Sequence, residues 1–509
     1  MTERVTAHPV APPEALPALE RWWGSLRRRE PLFPEAVVQR SSERLGSLEA
    51  DVVIAGGTLG ILLGAALAKR GWRVVLLERG LLRGRDQEWN TSRQELQVLL
   101  TLELLTPAEL EQVQVTHYPS GRIGFRGGPS WWVEDVLNVG VDPVGLLQCL
   151  KQRFLEWGGQ LLEQQTFVGA TVHPDGIHIQ TDRGKMTAQL LLDAMGHRSP
   201  VVAQARQGQW PDSVCLVVGS CAQGLPALDS GDLFYSFSPT QPGYQPFWEA
   251  FPARDGRTTY LFTYCDIQEG RPSLSALWQH YLQQLPHYQG VDLTEITWVR
   301  KLCGVFPAYR RSPLQLPWDR LLAVGDSSGS QSPLSFGGFG AMLRHLARLE
   351  QGIHDALSWR QLEQQALALL QPYQPNLAVT WLFQKAMIPP LNQNNWDPDR
   401  INRLLSQVFA ALFAAGPQVV KPFLQDVVQF GGLAQALWGV MSRDPLLVAQ
   451  LLPQVGLEEL TRWTGHLTAL GIYDLLYRVT GTRAEKHASY TWKHRREAWC
   501  YGSGRDHAG

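Results

Sequence analysis

A short glycine-rich turn between two apolar runs constrains this chain more than any other feature of its sequence. The first apolar run covers residues 51–55, the turn begins at Gly56, and a helical pattern continues to Ala68. A second apolar run over 73–77 ends in Glu78. Strand, tight turn, helix and strand within about 30 residues predict a βαβ unit, with its two strands in a parallel sheet.

Small residues fill the turn where a G-x-G-x-x-G motif belongs, with Ala55 in place of the first glycine. The backbone must turn sharply there and approach a pyrophosphate closely, while the helix N-terminus supplies unpaired N–H groups. Glu78 follows Gly57 by about 20 residues, where an acid can accept hydrogen bonds from an adenosine ribose. The predicted cofactor-binding residues of this unit are Ala55, Gly56, Gly57, Thr58, Leu59, Gly60, Glu78, Arg79 and Arg85.

Two later motifs indicate which dinucleotide to expect. Residues 193–200 (Asp-Ala-Met-Gly-His-Arg-Ser-Pro) resemble the D-G-x-x-S motif of flavin monooxygenase-type proteins, and residues 325–328 (Gly-Asp-Ser-Ser) resemble their G-D motif. In that superfamily the aspartate holds the ribityl chain, and a following helix N-terminus faces the flavin pyrimidine ring. The resemblance implies noncovalent FAD, active when reduced. It adds the cofactor-binding residues Asp193, Gly325, Asp326, Pro333, Gly337, Gly338 and Phe339.

Composition and charge exclude several other classes of protein. The 46 basic and 47 acidic side chains give a formal net charge of −1, so no basic excess is available to neutralise nucleic-acid phosphates. The six cysteines are scattered, without a C-x-x-C pair or a metal-like His spacing, so we expect no metal. No apolar run is long enough to span a bilayer, and the N-terminus lacks a signal-peptide pattern. These features predict a cytoplasmic protein.

The patterns of apolar residues predict an α/β fold. It comprises a Rossmann-type FAD-binding domain, an interleaved antiparallel-sheet substrate domain and a C-terminal helical region. The predicted segments are an N-terminal arm over 1–49, the FAD-binding domain over 50–230 with a sheet insertion near 160–190, the substrate-domain sheet over 231–306, the closing part of the FAD-binding domain over 307–355, a helical region over 356–480 and a basic aromatic tail over 481–509.

Four segments, at 56–60, 84–90, 247–252 and 331–340, carry a more specific resemblance. They are similar to segments of the lycopene cyclases of the CruA/CruP type, with the CruP branch favoured, and the resemblance covers about 30–480. It implies an FAD-dependent protein of the carotenoid pathway in a photosynthetic organism, bound peripherally to the thylakoid membrane. The expected ligand is a polyene hydrocarbon, lycopene or a related carotenoid, and the family allows chlorophyll as a ligand.

Cyclisation of lycopene makes particular demands on side chains. The substrate has no polar handle, so recognition must come from an apolar slot. One acid must protonate a terminal double bond, aromatic faces must stabilise the carbocation, and a base must remove a ring proton. Glu249 is the candidate acid, because it lies among aromatic residues of one strand, where desolvation raises the pKa of a carboxyl group. The predicted substrate-binding residues beside it are Phe247, Trp248 and Phe251.

Two alternatives from other functional classes remain open. The first is a paralogue without cyclase activity that binds carotenoid or chlorophyll and protects against oxidative stress. The second is an FAD-dependent monooxygenase or polyene reductase, although the sequence shows no second dinucleotide motif for NAD(P)H. The tail is also open to two interpretations. Its cations and its Trp and Tyr residues favour an anionic bilayer surface, and they are equally compatible with a helical subdomain followed by a loose tail.

Overall fold

The computed structural model describes residues 10–507 apart from 33, 392–395, 444, 446–455 and 481–488. The strands are β1 (Val38–Arg40), β2 (Ala50–Ala55), β3 (Val74–Glu78), β4 (Trp89–Thr91), β5 (Gln114–His117), β6 (Ser120–Phe125), β7 (Ser130–Glu134), β8 (Val139–Val141), β9 (Gln160–Glu163), β10 (Phe167–Val172), β11 (Ile177–Thr181), β12 (Gly184–Asp193), β13 (Ser213–Gln223), β14 (Ser230–Ser236), β15 (Phe247–Ala253), β16 (Gly256–Cys265), β17 (Thr297–Ala308) and β18 (Leu321–Ala323).

The helices are α1 (Leu16–Arg27), α2 (Gly60–Lys69), α3 (Arg93–Thr101), α4 (Pro107–Val113), α5 (Pro143–Glu156), α6 (Pro200–Ala205), α7 (Leu274–Gln289), α8 (Gly338–Ser358), α9 (Gln364–Ala368), α10 (Pro375–Ala378), α11 (Thr380–Ala386), α12 (Arg400–Ala415), α13 (Pro417–Leu424), α14 (Phe430–Arg443), α15 (Leu457–Thr480) and α16 (Tyr490–Gly502).

The first sheet contains the predicted βαβ unit. Its strands lie in the order β1-β10-β11-β12-β2-β3-β9, and β18 pairs with the C-terminal end of β12. Strands β18, β12, β2, β3 and β9 run parallel, and Asp193 at the end of β12 lies beside Ala55 of β2 and Ala323 of β18. The three glycine- and aspartate-containing motifs therefore begin at one edge of the sheet, where ligands bind in doubly wound folds.

Helices cover the parallel part of this sheet, which explains its continuous apolar strands. Every residue of β2 is buried, as is typical of a parallel strand covered on both faces. Helices α2, α3, α5 and α8 share one hydrophobic core with the sheet. Local signals mark both ends of helix α5: Asp142 caps it by accepting a hydrogen bond from the Val144 N–H, Pro143 occupies its first position, and Gly158 follows it in a left-handed conformation.

The second sheet has the order β17-β13-β16-β15-β14-β6-β7 and is antiparallel except between β14 and β6. One face packs against α1 and α7, through residues such as Trp23 and Tyr281. The other face packs against α12, α13 and α14, through residues such as Phe409 and Val420. Because both faces are covered, side chains that point to either side of β15 and β16 are buried, and only a cavity can expose them.

The sheets divide the chain differently from the predicted boundaries. Strands β6, β7 and β13 belong to the second sheet, although they lie within the predicted FAD-binding range 50–230. The strands over 160–190 are β9, β10, β11 and β12, and they extend the first sheet. Hydrogen bonding between strands that are far apart in sequence leaves no local pattern, so the sequence does not reveal which sheet each strand joins.

Both terminal segments dock onto the folded core. Helix α1 packs against α7, and the Trp23 indole N–H donates a hydrogen bond to the Pro272 carbonyl at 2.8 Å. Helix α16 packs against α8, where Arg344 pairs with Asp506 at 2.7 Å. The predicted arm therefore contains a docked helix, while its residues 1–9 lie outside the described residues. The same holds for the predicted tail, of which residues 481–488, 508 and 509 are not described. Among the described helices, none is long and apolar enough to cross a membrane.

Candidate functional site

A cavity of about 760 Å³, here called the edge cavity, opens at the carboxyl edge of the first sheet. Many of the predicted cofactor-binding residues line it, so the fold brings residues of separate motifs to one cavity. These lining residues are Ala55, Gly56, Gly57, Thr58, Leu59, Glu78, Arg79, Arg85 and Asp326.

The glycine turn leaves no space for side chains. Gly56 has a φ of +103°, and a Cβ atom there would lie 2.3 Å from the Ala194 carbonyl oxygen. The Glu78 carboxylate fixes the turn from the other side, accepting hydrogen bonds from the Gly57 and Gly80 N–H groups at 2.9 Å each. Each carboxylate oxygen keeps a lone pair, so Glu78 can still accept a hydrogen bond from a ligand hydroxyl.

Asp193 lies behind the cavity wall and does not line the edge cavity. Its side chain is fully buried and accepts hydrogen bonds from the Ser199 hydroxyl at 2.5 Å, the Met195 N–H at 3.0 Å and the Ser327 hydroxyl at 3.2 Å. Burial raises the pKa of Asp193 to about 6, and these hydrogen bonds oppose the shift. The predicted direct cofactor contact is therefore replaced by a positioning role: Asp193 ties the two motif loops together.

Asp326 is the aspartate that reaches the edge cavity. Its Oδ1 atom is buried and has no hydrogen-bond partner in the described structure, while Oδ2 lies 3.7 Å from Nε2 of His197. Gly338, at the start of α8, packs so closely that a Cβ atom there would lie 2.1 Å from Oδ1. A buried acceptor without a partner is costly unless a ligand satisfies it, so a sugar-alcohol hydroxyl fits this position.

The other predicted cofactor-binding residues shape the surroundings without lining the edge cavity. Phe339 packs on Trp89 with ring centroids 4.6 Å apart. Gly337 lines a neighbouring cavity instead, and Pro333 lines a small pocket beside Asp326. The predicted residues outside the edge cavity are Gly60, Asp193, Gly325, Pro333, Gly337, Gly338 and Phe339.

Helix α1 supplies a wall of the edge cavity that sequence reasoning missed. Ala18, Leu19 and Trp22 line the cavity, while the neighbouring Trp23 is buried against the second sheet. The signal available in the sequence was the pair of adjacent tryptophans after a proline-rich start. Because α1 is anchored to the second sheet, the edge cavity is bounded by both sheets.

A second cavity of about 270 Å³, here called the inner cavity, adjoins the edge cavity. Arg85 and three residues of β17, Cys303, Gly304 and Phe306, line both cavities. A third, apolar cavity of about 90 Å³ continues from the inner cavity beneath α12 and α13, with Phe262 and Leu334 lining both. The three cavities therefore lie in a row, from the edge of the first sheet to the helical layer.

Glu249 lies where the inner and apolar cavities meet and lines both of them. Strand alternation puts Phe251 on the same side, and Phe251 lines the inner cavity. Trp248 points to the opposite face and stacks on Tyr281, while Phe247 is buried in the core under the helical layer. Phe247 and Trp248 thus support the strand and line neither cavity.

Burial raises the pKa of Glu249 from 4.5 to about 8, so its protonated form predominates at neutral pH. The side chain is half-buried by surface area and faces both cavities. A neutral carboxyl group aimed into an aromatic cavity is suited to donate a proton.

Sequence reasoning also missed the second half of the inner cavity. Its residues come from the loop over 330–337, from α8 and from the turn after α13, and include Phe336, Arg344, His345 and Asp426. The sequence analysis assigned none of these four residues to a site, because it is the packing of the helical layer that brings them to the sheet. The described residues hold no group of three or more His, Cys, Asp or Glu side chains suited to a metal ion.

The ionisation of Glu249 predicts a pH-dependent stability. Between about pH 5 and about pH 8 the folded chain binds a proton that the unfolded chain releases, so wild-type stability falls as pH rises through this window. We expect Glu249→Gln to gain stability relative to wild type across it, by about 1.4 kcal/mol per unit of pKa separation. Urea unfolding at several pH values measures the difference, with the exposed Glu134→Gln as the control for charge removal. If the difference in stability between Glu249→Gln and wild type does not vary with pH, the raised pKa of Glu249 is contradicted.

Comparisons with known proteins add information on the fold. No protein-family model and no curated protein matches the sequence. A geranylgeranyl bacteriochlorophyll reductase-like protein of Thermoplasma acidophilum is similar in structure, with a TM-score of 0.57, 13% identity and coverage of 82% of this chain and 100% of that one.

Flavin-dependent halogenases are also similar in structure. The halogenase PltM in complex with phloroglucinol and FAD has a TM-score of 0.55 and 14% identity, covering 90% of this chain and 99% of the other. The myxobacterial chondrochloren halogenase has a TM-score of 0.51 and 15% identity, covering 77% and 97%. The chain therefore shares the α/β fold of these proteins, which confirms the predicted fold class.

Proposed function

We propose that the edge cavity binds FAD noncovalently. Three features of this chain support the proposal: the close glycine turn at Gly56, the unsatisfied acceptor of Asp326, and the lone pairs left on Glu78. The similar fold of PltM, whose structure contains FAD, is a fourth. The residues that would hold the cofactor are Gly56 and Gly57 at the pyrophosphate, Glu78 at the adenosine ribose and Asp326 at the ribityl chain.

Gly56→Ala tests the cofactor proposal. The added Cβ atom meets the Ala194 carbonyl oxygen, so the turn must open and we expect at least a tenfold weaker affinity for FAD. Gly71→Ala is the matched control, because Gly71 also has a positive φ, of +89°, but open space around its Cβ position. Flavin absorbance after gel filtration and titration of the apoprotein with FAD measure the effect. Equal FAD affinity in both variants would contradict the proposed site.

We propose that the protein acts in the carotenoid pathway and resembles lycopene cyclase: it closes the end groups of lycopene by protonation, without net redox change. The position of Glu249, a carboxyl group with a raised pKa at the junction of an aromatic and an apolar cavity, carries this proposal. Glu249 is the acid, and its proton goes to the terminal double bond. The rings of Tyr260, Phe262 and Phe336 line the inner cavity and stabilise the cation.

The cavity dimensions favour an end-group reaction. The polyene is about 30 Å long, and the inner cavity has a volume of only about 270 Å³. Only one end of the polyene would therefore occupy the inner cavity. The apolar cavity beneath α12 and α13, of about 90 Å³, would take the next part of the chain, and the remainder would extend beyond both cavities. When bound, reduced FAD supplies an electron-rich ring whose charge favours a nearby carbocation. Arg85 and β17 would separate its site from the substrate.

A polyene reductase is a second candidate, favoured by the fold shared with the geranylgeranyl bacteriochlorophyll reductase-like protein. Glu249 would then protonate one carbon of a double bond, and NAD(P)H or another external donor would supply the electrons. The FAD-dependent monooxygenase also remains compatible, since flavin-dependent halogenases share the fold. Consumption of a reductant distinguishes these reactions from cyclisation, which consumes none.

Expression in a lycopene-accumulating bacterial host tests the reaction. We expect monocyclic or bicyclic carotene with the wild type, and its loss with Glu249→Gln, by about a hundredfold or more if the acid contributes a typical amount. Glu134→Gln on the exposed side of β7 is the control. Pigment chromatography, with flavin content of the purified variants, measures the result. Reduced polyenes with NAD(P)H consumption would favour the reductase. Unchanged lycopene with bound carotenoid or chlorophyll would favour the pigment-binding paralogue.

We propose that the protein takes its polyene from a membrane surface through α14 and α15, not through the tail. Trp438 is 73% exposed on α14, and Leu475 and Val479 are 59% and 75% exposed on α15. The two helices contact each other, whereas α16 of the predicted tail is packed on α8. Exposed Trp and aliphatic side chains on adjoining helices favour insertion into the interfacial layer.

Flotation with liposomes of phosphatidylcholine and an anionic lipid tests the membrane contact. We expect Trp438→Ser combined with Leu475→Ser to reduce the bound fraction at least tenfold, because each buried apolar side chain contributes about 1.5 to 3 kcal/mol. Trp132→Ser is the matched control, since Trp132 is 52% exposed on β7, in the second sheet. Equal flotation of the double variant and the wild type would contradict the contact, as would a wild type that stays in solution.

A further inference from the structure

A second carboxyl group faces the place where Glu249 lies. Asp426 occupies the turn between α13 and α14 and lines both the inner and the apolar cavity. Among the described residues, Glu249 and Asp426 are the two acidic side chains that line both cavities. They come from opposite layers, the sheet and the helices, so a ligand in the cavity lies against both.

The hydroxyl of Tyr264 lies within electrostatic range of both carboxyl groups. Its pKa is raised mainly by burial, and the negative charges of Glu249 and Asp426 each raise it further. Tyr264 lines the apolar cavity and donates its hydroxyl hydrogen bond to the Leu334 carbonyl, so it is not available as a proton acceptor. Asp426 and Glu249 therefore face the same part of the cavity.

The other carboxylates that line the inner cavity already accept hydrogen bonds from neighbouring protein groups. Glu88 accepts a hydrogen bond from the Arg254 N–H at 3.1 Å and lies 3.7 Å from Arg300. Glu95 caps α3 by accepting hydrogen bonds from the Ser92 N–H at 2.8 Å and the Thr91 hydroxyl at 2.6 Å. Neither lines the apolar cavity.

The surroundings of Asp426 differ from those of Glu249 in hydrogen bonding. Burial raises the pKa of Asp426 to about 6, whereas hydrogen bonds from the Ser335 and Ser332 hydroxyls lower it. Of the charged groups that face it, Glu95 on α3 raises this pKa and Arg344 on α8 lowers it. At neutral pH the ionised form of Asp426 thus coexists with the protonated form of Glu249. Two carboxyl groups whose environments separate their ionisation are suited to opposite proton-transfer roles.

We propose that Asp426 is the base that ends the cyclisation initiated by Glu249; this inference rests on the proposed cyclase function. The Glu249 carboxyl transfers its proton to the terminal double bond, and the resulting cation is attacked by the neighbouring double bond to form the ring C–C bond. The ring carbon next to the new cation then loses its proton to the Asp426 carboxylate, and that C–H electron pair becomes the ring double bond. The product is an isomer, and exchange with water returns the proton from Asp426 to Glu249.

Asp426→Asn in the purified, flavin-loaded protein with lycopene in liposomes tests this role. Asp426 has a φ of +61°, a conformation that Asn also adopts readily, so the turn is retained. Asp135→Asn is the matched control, because Asp135 is exposed and has a φ of +59°. We expect about a hundredfold loss of cyclisation in Asp426→Asn with flavin retained, and no loss in Asp135→Asn.

The pH profile separates a base from a structural residue. With the wild type, the rate should fall below about pH 6, where Asp426 is protonated, and above about pH 8, where Glu249 is ionised. Asp426→Asn should show no decline in rate on the acid side. Asp426→Glu should be at least tenfold more active than Asp426→Asn. Equal activity of Asp426→Asn and wild type would overturn the assignment while leaving the cyclase proposal intact, as would equal losses in the Asn and Glu variants. A wild type that forms no cyclic product would overturn both.

Discussion

The buried carboxylate of Asp193 is the contact on which the geometry of the site depends. It accepts hydrogen bonds from both motif loops, from Met195 and Ser199 in one and from Ser327 in the other. A carboxylate without water is tolerated only when its oxygens are satisfied, so these loops are held in one arrangement. Asp326 directly precedes Ser327 in the second loop, and Gly338 packs against it. Displacement of Asp193 would therefore move Asp326 and the start of α8 together.

The second sheet lies between the edge cavity and the inner cavity and presents side chains to both. Cys303, Gly304 and Phe306 of β17 line both the edge cavity and the inner cavity. On the far side of the inner cavity, β15 presents Glu249, and the helical layer covers it with Asp426. A cofactor and a substrate would thus meet across one strand, with the acidic groups on the side away from the first sheet.

The sequence predicts the parts of this arrangement that local geometry dictates. Only glycine fits at Gly56, so the turn is visible in the residues themselves, and Glu249 stands out because its strand is aromatic. Strand alternation, however, separates Trp248 from Glu249, and a list of nearby aromatic residues does not reveal that. Asp426 is invisible for another reason: its segment has an ordinary helical pattern, and its meeting with Glu249 results from packing of α13 over the sheet. Helix α1 was missed likewise, since contacts distant in sequence decide where it docks.

The thiols of the cavity walls have a consequence for chemical durability. Burial raises the pKa of Cys303 to about 11, and it raises that of Cys215 well above its ordinary value, with the nearby Glu249 adding to the shift. Both therefore remain thiols at neutral pH, and it is the thiolate that attacks peroxide on the way to sulfenic acid. A reduced flavin in the edge cavity would generate peroxide on meeting oxygen, close to Cys303 in the cavity wall. The protonated thiols of these walls would therefore react slowly with such an oxidant.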